Sequence, residues 1–506
     1  MLLSIRRSSF PTYWPLSALL ALAWAPGCVT PHKTDSATDT ETSESTSESE
    51  TTGTETTTGD TEETTDTDDR PEPEVAWPLL NCDPIVPSYC GFPFPSNVFT
   101  VDDESTPTGR RLMLSEDMMP MTNQGIATLP DIFSERDGFS AGMALMAHLP
   151  GATTQGLAHA KDIPHSLDAD SPTVLINAET GEWVPHFAEL DMSTDLDSQR
   201  AFLIRPAIRL ADNTRYIVAI RGVVDSTGAP LPASDGFAAL RDFTEHTDPS
   251  IDARRGLYED IFLRLGDADV TRDDLQLAWD FTTASLESNT SWMLHMRDES
   301  LAMAGEDGPE YEITKITENW SDLILYHIEG NLTVPLYLDD PGPGGAMQFG
   351  NDGMPEATGT ATFPFVAMVP YSVFDKGPAG LMQFGHGLFG SYEDIERTEI
   401  QQVANDFNFI AFGFSWIGLS GDDIGLLAGI FAGGDLSQFS AVPDRLQQGI
   451  INAQLGMRMM ARGLYADPQL EVDGESLVNP DEQVFFGASL GGIMGSVYMA
   501  TSVDVV

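Results

Sequence analysis

The chain has 506 residues, 41% of them apolar and 9% aromatic, enough to bury the cores of two or three domains. Its 25 Lys and Arg face 78 Asp and Glu, a net charge of −53 that repels phosphate backbones and anionic headgroups and excludes nucleic-acid binding. No apolar run reaches the roughly 18–20 residues of a bilayer-spanning helix, and three cysteines are too few for a disulfide scaffold and wrongly spaced for zinc.

Arg6 and Arg7 precede an apolar stretch from Leu16 to Ala25, then small residues and Cys28, the layout of a secretory signal over residues 1–27. Ala25-Pro26-Gly27-Cys28 resembles the lipobox of bacterial lipoproteins, which implies a diacylglycerol on Cys28 and anchoring at the outer membrane or cell surface. The alternative is an unmodified thiol. With Cys28 lipidated, Cys82 and Cys90 remain as an even pair in an oxidising compartment, and one small disulfide is expected. Residues 34–74 hold fifteen acids against the single base Arg70 and no large apolar side chain, so residues 28–77 read as a lipid anchor and an acidic, extended linker that cannot fold.

From 78 to about 350 the pattern predicts a mainly β domain. Val174 to Ile176, Ala201 to Ile204 and Tyr216 to Ile220 are short apolar runs separated by turn residues such as Asp225-Ser226-Thr227-Gly228. Tyr258, Ile261, Phe262 and Leu265 fall at helical spacing, and Thr271 with Asp274 has the look of a cap. The segments FPFPSNVFT (92–100), ADNTRYIVAIRGVVDSTGAPLPAS (211–234) and LAWDFTTAS (277–285) resemble the N-terminal domain of bacterial virulence-factor-type lipases, surface lipoproteins with lipase or lysophospholipase activity. Histidines 148, 159, 165, 186, 246, 295 and 327 lack ligand spacing, and Asp191, Asp195 and Asp197 lack a glycine-punctuated loop, so the acids read as a solvated turn. No metal site and no cofactor are assigned, and a calcium requirement stays open.

Over 360–506 the pattern changes to alternating buried strand and helix. Leu381 to Phe384, Phe409 to Phe412 and Val484 to Phe486 are near-continuous apolar runs of the kind buried in parallel sheets. Ile400, Val403, Ala404 and Phe407 mark one helix face, and Leu446, Ile450, Ala453, Met457, Met460 and Leu464 another. After the third strand stands Gly487-Ala488-Ser489-Leu490-Gly491, followed by a helix-compatible run. This G-x-S-x-G places Ser489 on a tight strand-to-helix turn, with the Leu490 N–H at a helix start to receive an oxyanion. The fold expected is therefore α/β, an α/β-hydrolase sheet preceded by the mainly β domain.

The strand at 381–385 runs into His386-Gly387-Leu388-Phe389-Gly390. Resemblance to α/β-hydrolases implies that this loop supplies the second oxyanion donor, the N–H of Leu388, with Gly387 turning the backbone towards the site. His386 is read as holding the loop by hydrogen bonds. The Gly-rich apolar stretch from Ile417 to Val442 is either a lid over an acyl pocket, which Trp416 and Phe389 would line, or a packed helical excursion. Only 17 residues follow Ser489 and none is histidine, so the triad acid and base are expected beyond Val506, and the chain by itself is expected to be nearly inactive. The function implied is an exported serine ester hydrolase acting on an ester or lipid. The alternatives are a serine peptidase on the same fold and a non-catalytic surface lipoprotein with a degenerate hydrolase domain.

Overall fold

The computed structural model describes residues 83–504 apart from 116–117, 120, 122–124, 126–127 and 434–435. Cys28, Cys82 and the acidic linker lie outside the described residues.

Residues 83–285 build three small antiparallel sheets. Strands β1 (Thr100–Asp102) and β2 (Arg110–Leu112) pair with each other. β3 (Leu145–Ala147), β5 (His186–Leu190) and β6 (Phe202–Pro206) form a sheet in the order β3-β6-β5. β4 (Thr173–Asn177), β7 (Arg215–Arg221) and β8 (Leu275–Thr282) form another in the order β4-β7-β8. All eight residues of β8 are buried, because helices α1 (Asp235–Arg241) and α2 (Pro249–Asp267) pack beside it. Asp248 caps α2 by accepting from the Ser250 N–H, Pro249 occupies the first turn where no N–H is needed, and Ile251, Tyr258, Ile261, Phe262 and Leu265 form its buried face. The apolar residues from Ile85 to Phe281 make one core.

A second core begins at Met293 on helix α3 (Leu286–Ala304). Here β9 (Tyr311–Glu318), β10 (Ile324–Leu336), β11 (Gly359–Pro370), β12 (Ala379–Gly385), β13 (Phe409–Gly413) and β16 (Val478–Gly487) form a six-stranded sheet ordered β16-β12-β13-β11-β10-β9. The hairpin of β14 (Glu471–Val472) and β15 (Glu475–Ser476) stands apart from it. β9, β10, β11 and β13 pair antiparallel in turn, whereas β13, β12 and β16 run parallel. The sheet thus reaches back to Tyr311, well before the change of pattern near 360. The alternating burial of an antiparallel strand reads the same whichever sheet it joins.

Side chains alternate across the central strands. Met382, Phe384 and Ala411 face helix α5 (Thr398–Phe407) through Ile400 and Ala404. Leu381, Ile410 and Phe412 face α7 (Ala441–Arg458) and α8 (Leu490–Thr501) through Ile450, Leu455, Leu490 and Met494. Phe407, expected on the inner face of α5, is exposed: it sits in the last turn, next to Asn408, which leaves the helix in the left-handed conformation. The short helix α4 (Val373–Lys376) links β11 to β12, and α6 (Ile424–Gly433) lies between β13 and α7. After β12 the chain crosses to β13 on one side, and after α7 it returns to β16 on the other. The carboxyl ends of β12 and β16 therefore flank a switch in strand order, where open α/β sheets bind ligands.

The first core is tied to the start of the described chain by one buried ion pair. Arg254 donates to both oxygens of Asp83 at 2.8 and 2.9 Å, and both side chains are buried. Removing one partner strands the other charge, so Arg254→Met should lower the free energy of unfolding by about 3–5 kcal/mol in urea denaturation. An unchanged midpoint would show that the pair contributes nothing.

Candidate active site

β16 ends at Gly487 and α8 begins at Leu490, leaving two residues to reverse the chain. Ser489 takes the strain, with φ +53°, a conformation that costs a non-glycine residue about 1–3 kcal/mol. It is exposed. The flanking glycines are a steric requirement, since a Cβ on Gly487 would overlap the carbonyl of Gly491, and one on Gly491 would overlap the carbonyl of Gly385. Gly385 and Gly487 are register partners at the ends of β12 and β16, and the Ala488 N–H donates to the Gly385 carbonyl at 3.0 Å. The serine turn and the loop after β12 are thus in direct contact, and a Cβ on Gly387 would lie 3.6 Å from that of Ser489.

Leu490 is buried as the first residue of α8, and Leu388 is half exposed. Among the described residues, neither the Leu388 N–H nor the Leu490 N–H donates a hydrogen bond. Both are backbone donors available to an incoming negative charge, and the helix start favours that charge at Leu490. Among the described residues, no imidazole or carboxylate is hydrogen-bonded to the Ser489 hydroxyl.

His386 is fully buried beneath the loop. Its Nε2 accepts from the Trp416 N–H at 2.7 Å, which leaves the proton on Nδ1, 2.7 Å from the Gly387 carbonyl. Burial pushes its pKa below the ordinary imidazole value, against the opposing pull of the Gly387 carbonyl and of Asp394 and Asp423. A neutral ring with both nitrogens engaged holds backbone and does not serve Ser489. Trp416 is buried, while Phe389 is partly exposed at φ +60° and stands at the surface of the loop.

One feature of this neighbourhood escaped the reading of the sequence. Asp423 and Arg445 form a buried ion pair behind the loop; the spacing of Ser420 and Asp423, which proves to be a capping box, was its one local signal. The stretch 417–442, expected as either a lid or a packed helical excursion, contains α6, whose Leu427 and Ile430 are buried while Ile424 and Phe431 are exposed. Elsewhere, Cys90 is disulfide-bonded. The Asp191 carboxylate accepts from the Ser193 N–H and hydroxyl, a local turn that lowers its pKa, and Asp197 pairs with Arg200. A cavity of about 850 Å³ between α3 and the segment after α7, lined by Leu301, Arg458 and Tyr465, shares no residue with the serine turn.

No protein-family model matches the sequence, and no curated protein matches it. Among solved structures, 43% of the chain aligns with 52% of a Bacteroides fragilis protein assigned as an acetyl xylan esterase, at 12% identity and a TM-score of 0.25. A cold-adapted esterase from an Arctic intertidal metagenomic library aligns over 39% of this chain and 62% of its own, at 18% identity and a TM-score of 0.20. The rice cell wall degrading esterase LipA from Xanthomonas oryzae aligns over 32% and 48%, at 13% identity and a TM-score of 0.15. The chain spans about half to three-fifths of the length of these proteins.

The buried neutral state of His386 couples the site to pH. The unfolded chain binds this proton near the ordinary value of about 6.5, and the folded chain only at lower pH. Stability from this group is therefore full above about 6.5 and is lost as pH falls from there to the folded-state pKa. His186, equally buried and also lowered by desolvation, adds a change of the same sign. The urea midpoint should fall between pH 7.5 and 5.5, and fall less in His386→Gln; identical slopes in the two proteins would refute the assignment.

Proposed function

We propose that residues 311–504 form an α/β-hydrolase domain that cleaves carboxylic esters through Ser489, in an exported lipoprotein of the virulence-factor-lipase type. One observation carries the reading. An exposed serine sits in a strained strand-to-helix turn, beside two backbone N–H groups that have no acceptor among the described residues. That is the arrangement acyl transfer needs: a nucleophile held clear of the fold and donors fixed before charge develops.

In this reading Ser489 Oγ attacks the ester carbonyl carbon, and the oxygen that becomes negative accepts from the Leu490 and Leu388 N–H groups. Collapse of the tetrahedral intermediate, with a general base carrying the serine proton to the departing alkoxide, releases the alcohol and leaves an acyl-serine, which water then hydrolyses. His386 is not the base for the serine proton, because its Nε2 is already filled by the Trp416 N–H. Leu388, Phe389, Ile424 and Phe431 expose apolar surface on the loop and on α6, which suits an acyl chain better than a peptide backbone. Anchoring through Cys28 completes the proposal. Each buried acyl methylene contributes about 0.8 kcal/mol, so several chains hold a protein at a membrane where one does not.

The full-length protein, with a triad base in place, should react with a fluorophosphonate at Ser489, mapped by mass spectrometry, and Ser489→Ala should abolish the adduct. Labelling that persists in the variant would discard the nucleophile. With the triad complete, p-nitrophenyl esters should be preferred to peptide amides, and loss of the serine should cost on the order of 10⁶-fold. In a bacterial host, Cys28→Ala should move the protein from the membrane fraction to the soluble fraction; an unchanged distribution would remove the lipid anchor from the proposal.

A further inference from the structure

The loop that offers the Leu388 N–H, residues 386–390, has no helix or strand of its own. Three hydrogen bonds tie it to the segment that follows β13. The Trp416 N–H donates to His386 Nε2 at 2.7 Å, the Phe389 N–H donates to the Leu419 carbonyl at 2.9 Å, and the Gly421 N–H donates to the Gly390 carbonyl at 3.0 Å. The second segment is as irregular as the first, so the pair needs an outside anchor.

Asp423 and Arg445 supply it. Asp423 Oδ2 accepts from the Gly418 N–H at 2.8 Å, from the Ser420 N–H at 2.9 Å and from the Ser420 hydroxyl at 2.7 Å. Its Oδ1 accepts from Arg445 Nε at 3.0 Å. Arg445 is rooted in α7, and its Nη1 donates to the carbonyls of Pro341 and Gly342. Both charged groups are buried. Gly418 lies at φ +101° against α7, where a Cβ would come within 2.6 Å of the Val442 carbonyl. The segment 416–421 is thus fixed to α7 by a carboxylate with four donors and by a backbone contact that only glycine permits.

We propose that Asp423 and Arg445 are positioning residues for the oxyanion loop. They touch no substrate; through 416–421 they set where the Leu388 N–H points. This rests on the reading of Ser489 as the nucleophile. A buried charge pair is suited to the task because its bonds are short, directional and costly to break one at a time. Oxyanion donors act only within about 2.7–3.1 Å of the developing charge, so a small displacement of the loop removes one.

The test uses the full-length protein, with a triad base in place, carrying Asp423→Asn or Arg445→Lys. In both, amide hydrogen exchange over 386–391 should accelerate about tenfold or more while the peptide 379–384 of β12 keeps its protection. The fluorophosphonate labelling rate at Ser489 should drop by about 10- to 1,000-fold, up to the loss of one oxyanion donor. Ser420→Ala, which removes one hydroxyl and leaves the ion pair in place, should show the same two changes in smaller measure. It carries the test if the charge variants fail to fold. Exchange that accelerates over 416–423 while 386–391 stays protected, or a labelling rate that does not change, would overturn the proposal. If the parent full-length protein does not label at Ser489, the nucleophile reading falls, and the exchange comparison alone still decides whether the pair holds the loop.

Discussion

Two parallel strands, β12 and β16, end side by side at Gly385 and Gly487, and the chain must leave both ends in different directions within van der Waals contact. That crowding governs what surrounds it. It admits no side chain at 487 or 491, forces Ser489 to a positive φ, and presses the first turn of α8 against the loop after β12. An isolated peptide of this sequence would not hold the bend; the sheet imposes it, and the packing on its faces holds the strands in place. Strain at the serine and order in the core are two sides of one arrangement.

The turn was legible in the sequence because its demands are local. Glycine two places before and two after a serine, behind an apolar strand and ahead of a helix, states a steric requirement within five residues. The central strands were legible for a similar reason, since β12 and β13 are buried on both faces and read as unbroken apolar runs. Where periodicity was the only guide, the reading lost its address. Tyr311 to Leu336 carries the alternation of antiparallel strands, and nothing in that alternation says that β9 and β10 extend the second sheet. Phe407 has the right spacing for the inner face of α5 and still lies outside, because the helix ends there.

The supports of the oxyanion loop were hidden for a different reason. Asp423 and Arg445 are 22 residues apart, and the carbonyls that Arg445 reaches are more than 100 residues upstream of it. Charge in a sequence this acidic reads as solvated surface unless a partner is visible nearby. Burial of a single ion pair leaves no period and no composition bias. The imidazole of His386 was easier, since a histidine beside a glycine at a strand end is well placed to bridge backbone, and it bridges to the Trp416 N–H.

The distance between these partners also bears on when competence arises during folding. β12 and β13 need only one short crossover to pair, whereas the bracket around residues 386–390 draws together 341–342, 416–423 and 445 from separate stretches of chain. The reach from Arg445 to 341–342 matches that between β12 and β16, so the bracket and the sheet edge bear similar loop-closure entropy. Competence therefore waits on both, and reactivity of the Ser489 hydroxyl would report the arrival of the last of these long-range contacts better than any measure of secondary structure.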